Sequence, residues 1–144
     1  MNIKQISVFV ENKPGALAVL TGVLARHEID MRALSLAEIK DFGIARIIVD
    51  DAYAAANVLK EADYVYSITP VVGVAIPDVP GGLDNVLQIL AKEQVNVEYM
   101  YAFLGGKNAE HAYMIFRVQE RKEAAAALRA KGIQLVDQEH ISQL

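Results

Sequence analysis

Three histidines, a pair of adjacent aspartates and two strand arginines are the residues of this 144-residue chain whose types could do chemistry. His27, His111 and His140 stand at no metal-ligand spacing to one another or to a helical carboxylate pair. His27 falls at the end of a predicted helix, where a cation complements the helix dipole. His111 beside a turn and His140 beyond the last strand read as solvated. Asp50-Asp51 has the look of an acid–base pair, but it lies where a strand gives way to a helix, and acidic residues are favoured at such a start. Arg46 and Arg117 sit inside apolar strands, as edge or interface charges or as clamps for an anion. With no cysteine there is no disulfide, thiolate metal site or cysteine nucleophile. No G-x-S-x-G occurs, and "GLDNVLQIL" after Pro80-Gly81 lacks the Lys-Ser/Thr pair of a phosphate-binding loop. The expectation is a protein without catalysis, metal or cofactor.

The chemistry that remains is binding, at "ENKPGAL" (11–17) and "PDVPGGL" (77–83). If Pro14 and Pro80 take the first helical position, the residues before them, Lys13 and Val79, offer no side-chain acceptor to the free first-turn N–H groups. Those donors, with the positive helix end, suit a carboxylate. Alternatively Asn12 and Asp78 cap the helices from one residue further back, a role whose loss costs about 1 kcal/mol. The residues alone leave both alternatives open.

The elements around these loops occur twice, 66 residues apart. At that offset Leu17, Leu20 and Leu24 fall on Leu83, Val86 and Leu90, and "LARHEIDM" falls on "LAKEQVNV". The register slips by two or three residues at "FLGGKNAEH", a longer turn than "IKDFG", after which "GIARIIV" matches "AYMIFRV". Within each repeat, "IKQISVFV" alternates as a strand, and leucines spaced by three and four mark a helix face. "IDMRALSLAEI" and "IARIIV" read as strands about the turn "KDFG". "AYAAANVLKEA" reads as a helix with Val58, Leu59 and Ala62 on its stripe, and "YVYSIT" closes the unit. Gly132 is the expected stop of the last helix before "IQLVD".

The order βαββαβ, twice, is the α+β ferredoxin-like arrangement: antiparallel sheets with the helices on one face, in units 1–69 and 70–144. The strands of the second unit are apolar on both phases. Val95, Val97, Tyr99, Tyr101 and Phe103 alternate with Met100, Ala102 and Leu104, and Tyr113 and Ile115 with Met114 and Phe116. The second sheet face is therefore expected to be covered, by the other half or by a second copy of the chain.

Composition narrows the partners. Fourteen Lys and Arg against 18 Asp and Glu give net −4 with no basic run, which argues against nucleic acid. "FGIARIIV" lacks the stacked aromatics of an RNA-recognition strand. The apolar stretches fall short of the roughly 20 residues of a membrane span. "MNIKQISVFVENK" turns polar too soon for a signal peptide, so the expected compartment is the cytoplasm.

"VFVENKPGALAVLTGVLARHEIDMRALSLAE" and the hairpin "DFGIARIIV" closely resemble the ACT domain, a small regulatory module that binds amino acids. The second repeat resembles it less closely, keeping P-G-x-L and V-N-V but reading Pro-Asp for Glu-Asn. The resemblance implies a tandem pair of ACT domains with no catalytic domain, and side-by-side pairing of units into an eight-stranded sheet. It implies an amino acid held between units, near the first strand-to-helix loop of one and the second strand of its neighbour. The residues it singles out are Asn12, Gly15, Ala16 and Leu17 with Asp30 and Met31, and Asp78, Gly81, Gly82 and Leu83 with Asn96 and Val97. Main-chain N–H groups would meet the ligand carboxylate, and Asp30 or Asp78 its ammonium, since an ionised Asp only accepts. A second copy and a regulated enzyme are the implied protein partners. A ligand-free module that docks to an enzyme is the alternative.

Overall fold

The structure, a computed structural model, describes residues 2–103 and 111–143. Leu104 and most of the expected turn "FLGGKNAEH" lie outside the described residues. The chain divides into two compact units, Lys4–Thr69 and Pro70–Leu144, with Met1–Ile3 grouped with the second.

In the first unit, strand β1 (Ile3–Glu11) is followed by helix α1 (Ala16–Arg26), strands β2 (Met31–Ile39) and β3 (Phe42–Val49), and helix α2 (Ala52–Glu61). β3 lies between β2 and β1, antiparallel to both, with Leu34 and Ile6 opposite Ile47. Strand alternation sends Ile6, Val8, Val10, Ala45, Ile47 and Val49 to one face, where Leu20 and Leu24 of α1 and Ala52, Ala55 and Leu59 of α2 complete the core. The buried stripe of α2 is thus set by Ala52, with Val58 half-buried and Ala62 exposed, one step round from the expected Val58–Leu59–Ala62. Asp51 caps α2, its carboxylate accepting from Ala54 N–H at 3.0 Å, and Asp50 accepts from Asp51 N–H at 2.9 Å. The aspartate pair is therefore a helix start. Asp51→Ala should cost about 1 kcal/mol in chemical denaturation while leaving the native spectrum unchanged.

The expected closing strand of the first unit and opening strand of the second are one strand, β4 (Tyr66–Pro77), which crosses the division at Thr69. Pro70 is tolerated inside it because proline lacks only the N–H donor and suits extended backbone. In the second unit β4 is followed by α3 (Gly82–Lys92), β5 (Val97–Ala102), β6 (His111–Val118), α4 (Arg121–Ala130) and β7 (Gln134–Val136). β6 pairs with β4 and β5, β7 with the other edge of β4, all antiparallel. Val86, Leu90, Ala124 and Leu128 of the helices meet Val72, Val74, Ile76, Phe116 and Val118 on one sheet face. Gly132 stops α4 at φ +77°, with Ile133 N–H donating back to Leu128 O at 3.0 Å.

One short element had no sequence signal. Helix α5 (Gln138–Ser142) follows β7, capped by Asp137, whose carboxylate accepts from His140 N–H at 2.8 Å. Its Ile141 is fully buried, and its His140 ring sits edge-on to Tyr113. Tyr113 alternates with the core residues Met114 and Phe116, so α5 lies on the sheet face opposite α3 and α4.

Candidate functional site

Glycine sets the geometry of both Pro-Gly loops. Gly15 and Gly81 each sit at φ +85°, a left-handed conformation that β-carbon-bearing residues rarely adopt. A left-handed residue cannot lie inside a right-handed helix, so each glycine is itself the N-cap and the helices open at Ala16 and Gly82. Pro14 and Pro80 are thus outside the helices. Neither Lys13 and Val79 nor Asn12 and Asp78 acts as a cap, and no side chain caps either helix.

The open donors move accordingly. Ala16 N–H donates to Lys13 O at 3.3 Å and Gly82 N–H to Val79 O at 3.0 Å, each closing its own turn. The ladders begin with Val19 N–H to Gly15 O and Asn85 N–H to Gly81 O, both 3.0 Å. Between them, Leu17 and Ala18 in one helix and Leu83 and Asp84 in the other have no acceptor among the described residues. Leu17 and Leu83 remain from the expected set, whereas Ala16 and Gly82 are already used.

The first loop is pinned to the β2–β3 turn. Asn12 donates its main-chain N–H to Asp41 O at 2.8 Å and its side-chain Nδ2 to Lys40 O at 3.0 Å. Beside it is a hollow of about 90 Å³, lined by Val10, Glu11, Asn12 and Lys13 on β1 and the loop, Leu17 on α1, and Leu36, Ala37, Glu38 and Gly43 on the hairpin. An added Cβ on Gly43 would lie 3.2 Å from Leu36 Cδ1 and 3.3 Å from Val10 Cγ2, so glycine lets these two close over the floor. Glu11 is paired with Lys13 at 2.8 Å, and its hydrogen bond, then its charge, raise the Lys13 ammonium above its usual pKa. Glu38, opposite Gly43 and on the same face as Val10, has no hydrogen bond or ion pair among the described residues. One wall thus includes Leu17, with its open N–H, another the Glu38 carboxylate, and between them lies apolar surface. Leu36, Glu38 and Ala18 were not singled out from sequence. Counting back across the "KDFG" turn places Glu38 opposite Gly43, and that register is the signal for it.

The second loop is built differently. Asp78 replaces Asn12, and its carboxylate has no partner among the described residues. Pro77 O accepts from Val79 N–H at 2.9 Å and lies so near Gly82 that an added Cβ would overlap it. Asp84 already supplies an acidic residue to the first turn of α3, whereas α1 has none. These features place negative charge where a ligand carboxylate would go.

Asp30, Met31, Asn96 and Val97 are at the far ends of their sheets. Asn12 touches the turn that joins β2 to β3, whereas Asp30 exchanges hydrogen bonds with Asp50 after β3. The nine residues of β2 lie between them, roughly 30 Å. Likewise Pro77 pairs with His111 at the start of β6 and Val97 with Val118 at its end. One unit therefore does not bring Asn12 to Asp30 or Asp78 to Asn96. Asp30 is also engaged by Arg32 at 3.0 Å, and Met31 and Val97 pack against the two cores.

The other chemical candidates have structural partners. His27 ends α1 with Nδ1 2.9 Å from Val23 O. His111 and His140 are not solvated as expected but half-buried against the Tyr113 ring, which also stacks with Phe103. Tyr99 and Tyr101 stack at 6.4 Å. Arg117 is held by Glu98 at 3.4 Å and donates to Val118 O at 3.1 Å, so it is not an open clamp. Among the described residues no cluster of His, Asp and Glu could hold a metal ion, and no helix is long and apolar enough to cross a membrane.

The family model described as an ACT domain pair matches residues 1–144. A solved protein from Bacteroides thetaiotaomicron is 40% identical, with a TM-score of 0.92, over 100% of this chain and 98% of that one. The ligand-free regulatory subunit of aspartate kinase from Thermus thermophilus is 21% identical, with a TM-score of 0.67, over 92% of each chain. The corresponding subunit from Thermus flavus is 19% identical, with a TM-score of 0.65, over 90% of each. These two share the fold. No curated protein matches the chain.

Proposed function

The chain belongs to the ACT domain pair family, and from that premise we propose that it is a regulatory module that binds a small amino acid and reports its presence to an enzyme. The ligand lies at the first strand-to-helix loop of the Lys4–Thr69 unit, on a side that a unit of a second copy can complete. Its carboxylate meets the N–H groups of Leu17 and Ala18 at the positive end of α1. Its ammonium meets Glu38, and its side chain rests on Val10, Leu17 and Leu36. The observation that carries this reading is that one 90 Å³ hollow is lined both by Leu17, whose main-chain N–H is open, and by Glu38, whose carboxylate has no partner among the described residues. A space that small suits a small amino acid.

The second unit, with Asp78 and Asp84 at its equivalent helix start, serves as scaffold or docking surface. This places the ligand-free alternative in one half of the molecule. The fold is one that Thermus thermophilus uses in a regulatory subunit of aspartate kinase, and regulation of an enzyme is the role proposed here. A sensor of this kind needs two states that the ligand binds unequally.

Titration calorimetry with a panel of amino acids tests the reading. A ligand this small should bind with micromolar to millimolar affinity, about −8 to −4 kcal/mol. Asn12→Ala releases the loop from Lys40, so it should weaken binding about tenfold while costing about 1 kcal/mol of stability or less. No heat from any amino acid at millimolar concentration, with Asn12→Ala changing only stability, would leave the loop a purely structural turn.

A further inference from the structure

The first unit carries an apolar surface on the sheet face away from α1 and α2. Phe9 on β1, Ile39 at the end of β2, Phe42 and Ile44 on β3, and Val65 before β4 share this face. Phe9 stands opposite Ile44, Ile39 stands opposite Phe42, and Phe9 N–H donates to Val65 O at 3.0 Å. A hollow of about 400 Å³ is lined by these five residues alone. A second, of about 440 Å³, shares Phe9, Phe42 and Val65 with it and extends to Glu11, Lys13 and Asp63. Phe9, Ile39, Phe42 and Val65 are each 45–67% exposed. Together they leave roughly 400 Å² of apolar surface, as large as the largest patch of a typical monomer.

The sister repeat shows that such a face is meant to be covered. By strand register Phe9, Ile44, Phe42 and Val65 correspond to Ala75, Tyr113, His111 and Gln134. In the second unit the bulky member of that set, Tyr113, is buried, with α5 laying His140 against its ring. Its remaining positions carry a small residue or polar ones. The first unit places phenylalanine, phenylalanine and valine there and leaves them open.

We infer that this face is where two copies of the chain pair about a two-fold axis. The centre of the patch has no charge, so only another uncharged apolar surface complements it. Of the other exposed large apolar side chains among the described residues, Val19 on α1 adjoins the patch in the second hollow, whereas Leu36, Tyr53, Ile68, Val79 and Leu83 line neither hollow. The patch is therefore its own best complement, as an isologous interface requires. Its rim carries both signs of charge, the Glu11–Lys13 pair and Asp63, so Lys13 of one copy can face Asp63 of the other. The apolar centre supplies about half of the roughly 800 Å² that each partner of a stable complex contributes, and the rim supplies the rest. This pairing does not depend on the ligand: a chain that dimerises here and binds no amino acid keeps this inference and loses the proposed function.

Sedimentation velocity over a wide concentration range, up to millimolar, tests it. The wild type should be a dimer. Phe42→Lys, which faces Glu11 across the strands and so keeps a compatible neighbour, should weaken the dimer about thirtyfold or more, the scale of a central aromatic anchor. Phe9→Lys on the adjacent strand should do the same, and it serves as the second variant should Phe42→Lys fail to fold by circular dichroism. Tyr53→Lys, 80% exposed on α2, should stay dimeric. A wild type that is monomeric throughout overturns the inference, including one that instead captures another protein or a small apolar molecule on this face. Folded Phe42→Lys and Phe9→Lys proteins that dimerise like the wild type overturn it too.

Discussion

Replacing Ala18 by Asp should make the protein more stable and at the same time weaken amino-acid binding. Ala18 is exposed in the first turn of α1, and its repeat equivalent 66 residues on is Asp84, which already occupies that place in α3. A carboxylate there complements the helix dipole and should add about 0.3–1 kcal/mol of stability. The same carboxylate competes with the ligand's own for the N–H groups of Leu17 and Ala18 and repels it. Loss of that contact should weaken binding by about tenfold to a hundredfold, roughly 1.4–3 kcal/mol. Thermal melting and calorimetry on the one variant read both effects. The opposite directions matter, because general damage to the fold would lower both quantities. The mirror substitution, Asp84→Ala, should cost stability and leave binding unchanged, since the proposed site is at the other helix start.

Leu24→Ala and Leu90→Ala should each cost 2–5 kcal/mol, the largest stability effects among these substitutions. The two leucines are repeat equivalents, each almost fully buried on the inner face of the first helix of its unit. Leu24 O also accepts from Ile29 N–H, and Leu90 O from Val95 N–H, where the chain turns back toward the next strand. Truncation leaves a void under that turn which the surrounding strands cannot close. Urea denaturation of the two variants checks this, and unequal losses would measure how far the duplicated cores have diverged in their ability to collapse.

Much of this was written in the residues. The 66-residue repeat, the leucine spacing and the strand alternation give the duplicated βαββαβ order, because each is a local pattern tied to an element period. The Pro-Gly loops were legible as the binding candidates. Their detail was not, because the alternatives put the cap one or two residues before proline, whereas the left-handed glycine puts it one residue after. Which N–H groups stay open then depends on a turn that composition does not reveal. The amide–carboxylate pairs are a different matter, since a single unit does not bring their members together. Asn12 and Asp30 are close in sequence-motif terms but separated by the full length of β2, and only strand register shows it. Glu38 was hidden for the same cause. Helix α5 follows too closely on a short strand and is too short for any periodicity, so the cover over Tyr113 and the half-burial of His140 leave no signal in the sequence. The open face around Phe9 and Phe42 follows from comparing two registers, which no single stretch of sequence contains.

In the proposed function the Leu17–Ala18 end of α1 and Glu38 together hold an amino acid. Amide-resolved NMR on the isotope-labelled full chain, titrated with a panel of small amino acids, tests it most directly. At least one amino acid should produce saturable shifts centred on the amides of Leu17, Ala18 and Glu38, with those of Leu83 and Asp84 unmoved. No saturable shifts from any amino acid at millimolar concentration, or shifts centred on Leu83 and Asp84 instead, would contradict it.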